Sequence, residues 1–133
     1  MNTTKPNGQK RVVITGVGSI TPLGLSMDES WKNALNGVSG IANITKFDTS
    51  KYDVHFAGEV KNFSADNCVD KKDQKKMDLF IQYAMSASKM AMEQSGLKIT
   101  DENALKTGAF IGSGMGGLPG IEEQHSKLIE KGP

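Results

Sequence analysis

RVVITGVG, residues 11–18, decides the fold class. Val12, Val13, Ile14 and Val17 are β-branched, and Gly16 and Gly18 close the run. β-Branched side chains suit a pleated strand. A run that is apolar almost throughout, rather than alternating, reads as a strand covered on both faces. GAFIGSG (108–114) has the same character and predicts a second buried strand. Between them Ser26 and Asp28 are candidate caps for a helix over 28–37 that ends at Gly37. Trp31, Ala34 and Leu35 form its apolar stripe. Residues 38–52 read as irregular, and HFAGEV (55–60) as a short strand. Asp66 and Asp70 lead into a long helix from about Lys71 to Glu93, closed by Ser95 and Gly96. Its stripe of Met77, Phe80, Ala84, Ala87 and Ala91 narrows to alanine, which predicts a neighbour packed close to that end. A connector with room for a helical turn fills the stretch before Gly108. A glycine-rich turn after the second strand leads to a last helix over 121–132. Strands alternating with helices give an α/β class. Residues 1–10 read as a flexible polar tail. Residues 11–133 read as one unit, with two strands being few for a parallel sheet.

Composition narrows the function classes. The chain has 133 residues with 16 basic and 15 acidic side chains, a net charge of +1. No global field points to nucleic acid or an anionic membrane. One cysteine, Cys68, cannot form an internal disulfide or a multi-thiolate metal site. No apolar run approaches the roughly 20 residues of a membrane helix, and the polar first ten residues carry no signal-peptide core. The expectation is a soluble cytoplasmic protein with no metal, no cofactor, no nucleic-acid partner and no membrane.

Two glycine-rich segments invite a nucleotide reading. In TGVGSITPLG, Gly16 and Gly18 are followed by Thr21 where the dinucleotide fingerprint needs glycine, and Pro22 sits where the helix should begin. GSGMGG does supply Gly112, Gly114 and Gly117 in G-x-G-x-x-G spacing, between a strand and a helix. The confirming acidic residue after a further strand is not found. The bland alternative is a tight turn that brings backbone close to a neighbour. Cys68 has lysines nearby but no base or glycine-rich elbow around it, so it reads as a bystander. His55 and His125 have no metal-spaced companions. Lys72, Lys75 and Lys76 stand at i, i+3 and i+4 and would share one face of a continuous helix. Such a run is usually a solvated face; its functional reading is a docking patch for an acidic partner.

Taken in order, RVVITGVGSITPLG, WKNALNGVSGI, FDTSKYDVHFAGEVKNF, KKMDLFIQYAMSAS and GAFIGSGMGGLPGIEEQHSKLIEKGP resemble the opening of bacterial β-ketoacyl-acyl carrier protein synthases of the elongating type. The resemblance runs from Arg11 to Pro133 and covers the first part of such an enzyme. It implies a thiolase-like layered fold, a mixed sheet with packed helices, in a homodimer. It implies decarboxylative condensation of malonyl carrier protein with a cysteine-bound acyl group, assisted by two histidines. Cys68 lies outside the family's nucleophile motif, and neither His55 nor His125 matches a catalytic histidine, so no catalytic residue is assigned. The resemblance places Lys72, Lys75 and Lys76 at basic contacts for acyl carrier protein, and Met115 at a position lining the acyl pocket. Two other functions stay open: a module that retains only carrier-protein docking, and a nucleotide-binding α/β protein using GSGMGG.

Overall fold

A computed structural model describes residues 4–133. The order is α1 (Met27–Leu35), β1 (Ile41–Asn43), β2 (Phe56–Gly58), α2 (Lys71–Gln74), α3 (Leu79–Ser95), a 3₁₀ turn at Ala104–Lys106 and α4 (Leu118–Lys131). β1 and β2 pair antiparallel, with Ala42 opposite Ala57. HFAGEV thus holds a strand as read, whereas its partner β1 lies in the stretch read as irregular.

Helix α3 is the spine. On one side lies the 11–18 segment. The Val17 N–H donates to Gln94 Oε1 at 2.6 Å. A Cβ on Gly16 would lie 2.1 Å from the Ala91 carbonyl oxygen, and one on Gly18 would lie 2.1 Å from that of Ala87. This is the close neighbour that the alanine stripe predicts, with the glycines of one element meeting the alanines of the other. On another side lies the 63–69 segment. Phe63 meets Tyr83 edge to face at 4.8 Å, and burial raises the Tyr83 phenol pKa. Ala65, Val69 and Ser86 are buried there, and the Lys89 ammonium donates to the Asn67 carbonyl. Gly96, at φ 65°, ends α3 in the left-handed conformation.

Three expectations need correction. Residues 11–18 and 108–114 are in no strand. Val12 is 91% exposed, and Val13, Ile14, Phe110 and Ile111 are exposed too. A strand buried on both faces needs partner strands beside it, and none lies alongside either run among the described residues, whose one sheet is the β1–β2 pair. Among the described residues the sheet of the expected layered fold is reduced to the β1–β2 pair. In α1 the apolar stripe faces outward: Trp31 is 63% exposed, and Ala34 and Leu35 are exposed. The inner face is polar. Ser30 bonds Thr21 Oγ1 at 2.8 Å, and Asn33 donates to the Leu23 carbonyl at 2.6 Å. Ser26 is the N-cap, accepting from the Glu29 N–H, while Glu29 Oε2 accepts from the Leu25 N–H. The third correction is that the long helix over 71–93 is two helices, broken at Lys75–Asp78.

The accessible surface is 11097 Å², against roughly 6,800 Å² expected of a compact protein of this mass. Many large apolar side chains that a closed fold would cover are exposed, Leu105 and Phe110 fully so.

Candidate functional site

The break between α2 and α3 builds the site. Asp70 caps α2 in extended conformation, and the chain leaves the helix after one turn. Lys76 N–H donates to the Asp73 carbonyl and Met77 N–H to that of Gln74, which makes a tight turn. Asp78 is extended, at φ −62° and ψ 155°, and α3 starts after it. Two glutamines tie the turn down. The Gln74 amide donates to Asp66 Oδ1 at 2.9 Å and to the Val69 carbonyl at 2.7 Å. The Gln82 amide reaches back from the first turn of α3 to the carbonyls of Gln74, at 3.1 Å, and Met77, at 2.9 Å. Bonds from Gln74 and Ser64 hold the Asp66 carboxyl below its ordinary pKa.

Because the helix breaks, the three lysines do not share one continuous helix face. Lys72 is in α2, Lys75 is its C-cap, and Lys76 is in the turn beyond. All three are exposed. Lys76 Nζ lies 3.6 Å from Asp73 Oδ1, an exposed pair of the kind worth little in stability. Among the described residues Lys72 and Lys75 make no ion pair. Lys75 and Lys76 border an open cleft of about 920 Å³ together with Phe80, Gly117, His125 and Lys127; Lys72 does not line it.

The opposite wall is the glycine-rich turn and the start of α4. Ser113 Oγ accepts from the Gly116 N–H at 3.0 Å, and Gly116 takes φ 72°, a conformation glycine adopts at low cost. A Cβ on Gly117 would lie 1.8 Å from Asp78 Oδ2, and one on Gly120 would lie 3.0 Å from Oδ1. The Asp78 carboxylate therefore fills the place a side chain would take at the start of α4. A nucleotide phosphate there would meet that carboxylate, which opposes the usual attraction of anions to a helix N-terminus. The bland reading of GSGMGG, a turn bringing backbone against a neighbour, fits the geometry. Met115 stands out at 73% exposed and is not among the residues lining the cleft.

Gly117→Ala is expected to cost about 1–3 kcal/mol of stability. Asp78→Ala in the same chain should recover most of that loss, because the two residues contend for one space. Thermal melts of the two single variants and the double variant check it; purely additive losses would contradict the contact.

The other chemistry-bearing residues stay apart. Cys68 Sγ is 3.0 Å from Ser86 Oγ and 3.4 Å from the Ala65 carbonyl, with no imidazole among its partners. His55 Nδ1 lies 3.2 Å from Thr49 Oγ1. No cluster able to hold a metal occurs among the described residues, and none of their helices is long and apolar enough to cross a membrane. The roles of Gln74, Gln82 and Asp78 were not read from the sequence. The one available signal was Asp78 itself, an aspartate in the middle of a helical pattern, where it favours capping over continuation.

Residues 9–132 match the family described as beta-ketoacyl synthase, N-terminal domain. The chain is 51% identical over 125 residues to 3-oxoacyl-[acyl-carrier-protein] synthase 2 of Vibrio harveyi, covering 94% of this chain and 30% of that protein. It is 48% identical over 124 residues to the synthase 2 of Staphylococcus aureus strain N315, again covering 30% of the relative. Among solved structures, the ishigamide ketosynthase/chain length factor aligns with a TM-score of 0.69 at 28% identity, over 90% of this chain and 30% of that one. The chain thus spans about a third of the length of these relatives and belongs to the β-ketoacyl synthase family, matching its N-terminal domain.

Proposed function

We propose that the chain is the N-terminal segment of an elongating 3-oxoacyl-acyl carrier protein synthase. The observation that carries this is the 51% identity to a synthase 2 maintained across 94% of the chain. In the proposed reaction the acyl group moves from its carrier to a cysteine thiolate as a thioester. Malonyl carrier protein loses carbon dioxide, and the carbanion attacks the thioester carbonyl and releases the thiolate. Cys68 is not the proposed nucleophile: its partners are the Ser86 hydroxyl and the Ala65 carbonyl, and neither His55 nor His125 is among them. The rest of a layered fold, and the second subunit of a homodimer, would cover the exposed Val12–Ile14 and Phe110–Ile111 runs. Met115 is proposed to line the acyl pocket in that complete fold, where a flexible thioether suits acyl chains of different length.

The segment's own contribution is docking. Lys72 in α2, with Lys75 and Lys76 on the anchored turn that follows it, presents three ammonium groups suited to an acidic carrier protein whose encounter they would steer. Lys72→Glu with Lys76→Glu is expected to weaken carrier binding at least about tenfold, mostly through the association rate. The difference should shrink as salt rises. Titration with acyl carrier protein at low and moderate salt checks it; equal binding by the variant at low salt would remove the docking role. A chain that binds its carrier but is never part of a larger synthase would be the docking module alone.

A further inference from the structure

We infer that Gln82 is the positioning residue of the carrier-docking turn, which rests on the docking role proposed for Lys72, Lys75 and Lys76. Lysines at the end of a one-turn helix have no helical scaffold of their own, because a four-residue helix such as α2 is too short to hold its shape unaided. The carbonyls of Gln74 and Met77 bracket the two lysines of the turn. Gln82 donates one amide group to both, at 3.1 and 2.9 Å. It thereby fixes where Lys75 and Lys76 stand relative to α3, the spine on which the rest of the segment packs. Gln74 anchors the same turn from the other end through Asp66 and Val69. Gln82 is half-buried and, among the described residues, its Nε2 donates to these two carbonyls alone, so its side chain is committed to this clip. An acidic partner that reads three charges in register gains from a turn already set before encounter, since less ordering is left to do on binding.

The test is carrier-protein titration of the chain as its native gene encodes it. Gln82→Met keeps the length of the side chain and removes both donors. It is expected to weaken binding about three- to tenfold and to flatten the salt dependence. Added to Lys75→Ala and Lys76→Ala, it should cause no further loss, because the clip acts only through those lysines. Gln82→Asn draws the amide back by one methylene and should fall between wild type and Gln82→Met. Ser95→Ala, at the other end of α3, serves as a control that removes a side-chain hydrogen bond without touching the turn and should bind as wild type. Wild-type binding by Gln82→Met, or a loss that adds fully to that of the lysine variants, would overturn the role of Gln82. Salt-insensitive or absent binding by the wild type would instead overturn the docking role on which it rests.

Discussion

Malonyl carrier protein incubated with acyl carrier protein and this 133-residue chain alone is expected to lose no carbon dioxide beyond the rate without protein. Condensation needs a thiolate, a base to manage protons and donors for the oxyanion, all within hydrogen-bond reach of one carbonyl. The chain has one thiol, and its partners are a serine hydroxyl and a backbone carbonyl. Its two histidines are both exposed, one bonded to Thr49 and the other on α4. The measurement is release of labelled carbon dioxide. Turnover by the chain that disappears in Cys68→Ala would show a nucleophile where the geometry gives none.

Gly18→Val is expected to detach the 11–18 segment from α3. Its Cβ would lie 2.1 Å from the Ala87 carbonyl oxygen and 2.9 Å from the Met90 Cβ. Helix backbone cannot yield as a flexible side-chain tip can, so the cost should reach about 3 kcal/mol, the upper part of the overpacking range. That is a large share of the roughly 5–15 kcal/mol that holds a domain together. Gly108→Ala is the control, since nothing lies within 4 Å of a Cβ there. Limited proteolysis should cut the first twenty residues of Gly18→Val far faster than those of Gly108→Ala. Equal rates would mean that the glycine–alanine seam does not hold this segment.

The seam was half legible in the sequence. The alanine narrowing of α3 announced a close neighbour, but nothing in the spacing said that Gly16 and Gly18 would be it. The strand character of 11–18 and 108–114 was read from apolar runs, and those runs report what a segment is suited to pack against. They do not supply the partner strands, and here both runs stand exposed. The outward stripe of α1 shows the same limit: Trp31, Ala34 and Leu35 mark a face built for burial, while Ser30 and Asn33 make the contacts actually formed. The break at Lys75–Asp78 was hidden because the apolar period continues from Met77 to Phe80 across it. Side-chain-to-backbone bonds such as those of Gln82 leave no periodic trace at all. The lysines could be picked out by their charge, but their arrangement depends on that break.

The intact mass of the protein expressed from its native gene separates a segment of a larger synthase from a free-standing module. The chain corresponds to 30% of the synthase 2 relatives, so the expected product is roughly three times the 14.3 kDa of this segment. Such a product would carry a nucleophile, two histidines and the strands that close over Val12–Ile14. A mass of 14.3 kDa would contradict it, leaving a segment of condensing-enzyme sequence with no condensing enzyme around it.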